Sequence, residues 1–213
     1  LNIALEGASV YAIDAALHDF GMPMGPFALM DLTGLEVNVR MRAHAGPADI
    51  DARAFRIVDR LYAMGRFGQN SGAGFYKYEN GEGSPVYDAS VDAWIAEEAA
   101  RSGIKRRSEI SPAEIAERCI HILINQGAHI LDEAIAQRAG DIDVAYVAGY
   151  GFPRHLGGPM FWAAQEGLPA VLNRIEAHAN QSGRVLWRPS ALLVRAVEKG
   201  VTLDDARAFK GRS

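Results

Sequence analysis

The sequence predicts an all-α fold built from two tandem helical repeats. Three observations predict it. Apolar residues recur at helical spacing along almost the whole chain. Strands and helices do not alternate, so a parallel α/β sheet is not supported. One motif occurs twice: Ile13-Asp14-Ala15-Ala16 leading to Phe20-Gly21-Met22-Pro23-Met24-Gly25-Pro26-Phe27, and Ile142-Asp143-Val144-Ala145 leading to Tyr150-Gly151-Phe152-Pro153 and then Gly157-Gly158-Pro159-Met160-Phe161.

Leu1–Glu6 reads as helix with no N-cap before it, so the chain is expected to begin inside an element. Val10, Ile13, Ala16, Leu17 and Phe20 form one apolar stripe, opened by Ser9 as N-cap and stopped by Gly21. A short helix is predicted over 27–32, with Pro26 in the favoured first turn. Helices over 35–43 and 52–64 follow, the second with Phe55, Val58, Leu61 and Tyr62 on its apolar face. Gly65 to Gly74 is rich in breakers, Phe75-Tyr76-Lys77-Tyr78 alternates like a short extended segment, and Glu79 to Pro85 is a linker by composition. The first repeat is therefore set at residues 1–84 and the second at 85–213. Ser111-Pro112-Ala113-Glu114 is a capping-box signature for a long helix running to about Ala139. Further helices are predicted over 143–150, 158–165, 168–179, 190–198 and 203–209. By the logic of the repeat, most of the first copy's leading helix lies upstream of Leu1.

The 213 residues can bury a sizeable core, and half of them are apolar. A net charge of −4 provides no basic surface for nucleic acid. The basic run Lys105-Arg106-Arg107 is read as a solvated linker. A lone cysteine, Cys119, in an apolar helical run reads as a buried, inert thiol and as a sign of a reducing compartment. With no apolar run long enough for a membrane span and no signal-peptide pattern, the expected location is cytoplasmic.

Three groups of residues invite a chemical reading. Gly21 to Pro26 is a stiff loop, two glycines giving backbone freedom and two prolines restricting it. With Met22, Met24 and Phe27 it suits one wall of an acyl-chain pocket, or else a helix–helix corner that merely packs. Gly68 to Tyr76 superficially resembles a phosphate cradle, but Gly72-Ala73-Gly74 lacks the third glycine and follows a helix. It is read as a structural turn that lays Phe75 and Tyr76 on the core. His121, Asn125, His129 and Asp132 or Glu133 form a polar stripe on the long helix, facing solvent or a partner helix. The two histidines stand about 12 Å apart, too far to chelate one metal. No Ser-His-Asp grouping is readable, so no catalytic residue and no metal ligand is nominated.

The string from Ile13 through Phe27 to Val37, and Gly65-Arg66-Phe67-Gly68-Gln69-Asn70-Ser71-Gly72-Ala73-Gly74-Phe75-Tyr76-Lys77-Tyr78, resemble the two signatures of the C-terminal domain of 3-hydroxyacyl-CoA dehydrogenases. The second Gly-x-Pro copy resembles the tandem C-terminal domain of multifunctional β-oxidation enzymes. The resemblance implies NAD-dependent oxidation of a 3-hydroxyacyl-CoA to the 3-ketoacyl-CoA. It implies a missing upstream Rossmann domain that binds NAD and carries the catalytic His and Glu, and an enoyl-CoA hydratase module further upstream in some members. It implies two repeats packed as a pseudo-dimer, and Pro23, Met24, Gly25, Pro26, Phe27 and Leu29 on the substrate side. The chain alone is then expected to be inactive. Loss of the Rossmann domain would bare an apolar patch able to drive homo-oligomers. Two other readings stand beside it: a non-catalytic all-α interaction module, and a 6-phosphogluconate-type domain, against which the apolar loops speak.

Overall fold

The computed structural model describes residues 1–44, 52–79, 83–182 and 185–209. They form two compact units, Leu1–Phe20 with Met24–Ala116, and Gly21–Pro23 with Glu117–Ser213. Among the described residues the structure is all-α, and extended pairing is limited to isolated bridges, Gly68–Ala73, Ala73–Lys77 and Lys77–Val86.

The first unit holds α1 (Asn2–Glu6), α2 (Val10–Phe20), α3 (Pro26–Thr33), α4 (Leu35–His44), α5 (Ala52–Ala63) and α6 (Ala89–Arg101). Successive helices pack pairwise, α2 on α3 and α4 on α5, while α6 covers both α1 and α5. Three of them start at a local signal. The Ser9 hydroxyl accepts the Ala12 amide at the head of α2, Pro26 opens α3, and the Asp88 carboxylate accepts the Ser90 amide at the head of α6. Leu5, Ile13, Leu17, Phe27, Val58, Leu61, Phe75 and Ile95 fill the core, with the Phe27 and Phe75 rings 4.7 Å apart. Charge pairs Arg56–Glu98 and Arg60–Glu97 tie α5 to α6, and the Arg60 and Arg66 guanidinium groups lie over the Trp94 ring.

The second unit holds most of α7 (Pro112–Asp132), then α8 (Ala139–Gly149), α9 (Pro159–Glu166), α10 (Leu168–Ser182), α11 (Ala191–Lys199) and α12 (Leu203–Ala206). Ile120, Ile124, Ala128 and Leu131 make the buried stripe of α7, at the three- and four-residue spacing of one helix face. The Ser111 hydroxyl accepts the Glu114 amide, as its capping signature requires, while the Glu114 carboxylate engages Arg107.

Several expectations are corrected. The long helix ends at Asp132 rather than near Ala139, and α8 begins at Ala139 rather than Asp143. The chain breaks at Ala134, which adopts a left-handed φ of 60°, and restarts where the Asp141 carboxylate takes the Arg138 backbone amide and guanidinium. Ala89–Arg101, where no helix is predicted from sequence, is a helix, and it lies within the first compact unit. Phe75 and Tyr76 do lie on the core, and Tyr76, Lys77 and Tyr78 alternate buried, exposed, buried. Arg106 is not merely solvated: its guanidinium donates to the Ala4 carbonyl at 2.9 Å and to those of Leu5 and Gly7, closing the C-terminus of α1. Cys119 is half-buried. Of the expected linker, Asn80-Gly81-Glu82 lies outside the described residues.

Candidate functional site

The Gly21–Pro26 loop ends at the N-terminus of α3, where the first amides of a helix have no intrahelical acceptor. Pro26 brings no N–H, so the first orphan donors are Phe27 and Ala28. Both donate to the carboxylate of Asp14 on α2, Phe27 to Oδ1 and Ala28 to Oδ2, each at 2.9 Å. The negative charge also suits the positive end of the helix dipole. Gly25 sits so tightly on Asp14 that a Cβ there would collide with it. A third donor reaches Asp14 from far along the chain: the Tyr76 hydroxyl, 2.9 Å from Oδ2. The loop is thus pinned at its base, while Pro23 and Met24 are exposed and Pro26 and Leu29 half-buried. Gly25 and Phe27 are buried beneath them. The six residues expected on the substrate side therefore divide. Pro23, Met24, Pro26 and Leu29 keep exposed surface, and Gly25 and Phe27 are buried.

The glycine-rich segment 65–78 supplies that third donor, and Asp31 on α3 anchors it. The Asp31 carboxylate accepts the amides of Phe75 (2.8 Å) and Tyr76 (2.9 Å) and the Tyr78 hydroxyl (3.1 Å). A Cβ at Gly74 would strike that carboxylate. The two amides that could have cradled a phosphate are therefore occupied by the protein's own anion. Arg66 spans the turn, donating to the Gly74 carbonyl and pairing with Asp88 at 2.7 Å. Burial pushes Asp14 and Asp31 above the ordinary aspartate range, and their hydrogen bonds draw them back only in part. Burial, together with the neighbouring carboxylates, pushes the Tyr76 and Tyr78 phenols well up, so both stay protonated donors.

The same turn occurs in the second unit. Asp143 on α8 accepts the amides of Met160 (2.7 Å) and Phe161 (3.1 Å) at the head of α9, after Pro159, and Gly158 makes the same close approach to its aspartate. The aspartate and the first amide it accepts are 13 residues apart in one copy and 17 in the other. The sequence reading quoted Asp14, Asp31, Asp143 and Tyr76 within motifs but assigned them no role. The usable signal was Ile-Asp recurring ahead of Gly-Pro in both copies.

The polar stripe of α7 turns inward. His121 and Asn125 are fully buried. Asn125 donates to the Arg188 carbonyl and accepts the Ser190 amide, fixing the entry to α11. The His121 ring lies 3.7 Å from the Glu166 carboxylate, and burial pushes its pKa down. No cluster among the described residues has the ligands of a metal site. Two open clefts, about 540 and 440 Å³, are edged by charged side chains such as Asp132, Arg138 and Asp204, or Arg56, Arg60 and Glu97. No helix among the described residues is long and apolar enough to cross a membrane.

Residues 1–78 match the family model described as the 3-hydroxyacyl-CoA dehydrogenase C-terminal domain. The chain is 41% identical over 209 residues to the peroxisomal bifunctional enzyme of Danio rerio and 36% identical over 211 residues to that of Homo sapiens. Each alignment covers 92% of this chain and only 29% of the relative, so the chain spans less than a third of their length. Two solved structures share the fold, each at 22% identity. The dehydrogenase part of multifunctional enzyme 1 from C. elegans has a TM-score of 0.65, covering 88% of this chain and 42% of that one. 3-Hydroxybutyryl-CoA dehydrogenase from Escherichia coli has a TM-score of 0.63, covering 92% and 56%. The cytoplasmic expectation is overturned: these relatives, like the rice protein at 32% identity, are named peroxisomal. Cysteine count and hydropathy report redox state and membrane spans, whereas an organelle address is a short receptor-read signal that composition does not carry.

Proposed function

Because residues 1–78 match the model of the 3-hydroxyacyl-CoA dehydrogenase C-terminal domain, we propose that the chain is the substrate-side and scaffold part of an NAD-dependent 3-hydroxyacyl-CoA dehydrogenase of fatty-acid β-oxidation. One observation carries the reading. The Gly21–Pro26 loop, the family's first signature, is pinned from below by Asp14 while Pro23 and Met24 face outward. An apolar rim on a rigid base is what a variable acyl chain needs, because methionine adapts its shape and the prolines hold the wall still.

In this reading an upstream Rossmann domain holds NAD and the base for the hydroxyl proton, and the parent acts in the peroxisome as its relatives' names indicate. The residues described here do not fit NAD. The Phe75 and Tyr76 amides beside the glycine-rich turn are taken by Asp31, and no strand leads into a helix N-terminus among the described residues. This chain's part is to bind and orient the acyl group. The test is absorbance at the NADH band with NAD and a 3-hydroxyacyl-CoA. Turnover by the full-length protein and none by the chain alone is expected; turnover by the chain alone refutes the assignment.

A further inference from the structure

Resting on that reading, we propose that Tyr76 is a positioning residue for substrate binding: its hydroxyl on Asp14 sets where α3 begins, and so where the Pro23–Pro26 wall stands. The hydroxyl comes from 62 residues away and closes on the carboxylate oxygen that also accepts the Ala28 amide. Phe27 and Ala28 directly follow the wall, and their amides have Asp14 as their acceptor. A carboxylate holding two adjacent amides and one hydroxyl has less freedom to swing than one holding the amides alone.

The molecule contains its own control. Asp143 caps α9 with the same two-amide geometry, and among the described residues no hydroxyl adds to it. A helix start of this kind thus closes without the third donor. The tyrosine is added in the repeat whose loop carries the candidate substrate residues. A second control lies two residues on: Tyr78 is also buried and also donates to a buried aspartate, but to Asp31 at the far end of α3. Removing either hydroxyl should cost comparable stability, whereas only the Tyr76 hydroxyl touches the carboxylate that holds the first amides after the loop.

The experiment compares Tyr76→Phe and Tyr78→Phe in the full-length protein, reading steady-state kinetics with a 3-hydroxyacyl-CoA and NAD, thermal midpoint, and amide hydrogen exchange of the segment 21–30. Tyr76→Phe should raise KM for the acyl-CoA about tenfold, the worth of one hydrogen bond to a charged group, with kcat within about twofold. It should also speed exchange at Phe27 and Ala28. Tyr78→Phe should lower the midpoint by a similar amount and leave KM and those two amides as they are. An unchanged KM in Tyr76→Phe, or an equal rise in both variants, overturns the proposal. If the unmutated full-length protein shows no turnover, the functional reading fails by itself, and exchange at Phe27 and Ala28 then decides. Faster exchange in Tyr76→Phe alone supports the positioning role, and equal exchange in both variants overturns it.

Discussion

The two copies of the Ile-Asp…Gly-Pro turn solve one problem with different amounts of reinforcement. Both place an aspartate against the first amides of a helix opened by Gly-Pro. In the first, Asp14 also takes the Tyr76 hydroxyl, and Asp31 on the same short helix ties down the turn that brings Tyr76. In the second, Asp143 holds two amides, and Ala164 stands one turn into α9 where α3 has Asp31. The leading helices are held by different means. α7 buries a continuous stripe of Ile120, Ile124, Ala128 and Leu131, whereas the C-terminus of α1 is closed by the Arg106 guanidinium on its carbonyls. The added hydroxyl thus falls on the copy whose loop carries the candidate substrate residues.

The largest expected effect tests this asymmetry directly. Asp14→Ala strands two amides and a buried hydroxyl and should cost about 3–5 kcal/mol; Asp143→Ala strands two amides and should cost about 2 kcal/mol. Chemical denaturation of the two variants measures the gap, and equal losses would mean that Tyr76 adds nothing to the cap. A smaller effect probes the leading helices. Arg106→Ala should cost about 1–2 kcal/mol through the carbonyls of α1. Arg174→Ala, which breaks an exposed pair with Glu117 on α7, should cost under about 1 kcal/mol. Thermal midpoints of the two variants rank them, and a larger drop for Arg174→Ala would reverse the account.

The smallest effect is on pH dependence. Asp14 has a folded pKa above its unfolded value of 3.8, because burial disfavours the charged form. Between those two values the folded state binds more protons than the unfolded state, so this group's contribution to stability is highest at low pH and declines as pH rises through the folded pKa. Asp88 and Glu98 run the other way. Burial raises them, but Arg66 in one case and Arg56 in the other more than offset it, so their contribution is present above the unfolded value and declines on acidification. The stability difference between the unmutated protein and Asp14→Asn should therefore shift toward the unmutated protein as pH is lowered from 7 toward 3.8. Urea midpoints across that range measure it, and a flat difference would show that the Asp14 carboxyl does not titrate differently on folding.

Much of the fold was legible because helices carry local signals. Ser9, Pro26, Ser111 and Gly21 mark ends that depend on a few neighbouring residues, and apolar spacing marks the faces. The break at Ala134 was not legible, since alanine gives no warning of a left-handed turn and the apolar run continues through Ile135. The candidate loop was legible as a motif, but its exposed rim, Pro23 and Met24, and buried base, Gly25 and Phe27, were not, because all four are non-polar and a loop has no periodicity to mark an inner face. The Arg106 clamp was hidden for the same kind of reason, its acceptors lying about 100 residues away.

By itself, then, the sequence determined the all-α class, the duplicated Ile-Asp…Gly-Pro motif and the position of the candidate loop, because helix periodicity and capping are set by residues within a few positions of one another. Only the tertiary structure decided that Asp14, Asp31 and Tyr76 converge on one short helix and that α1 closes on Arg106. Those contacts join residues far apart in the chain, and they form only when burial removes water as the competing partner for each hydrogen bond.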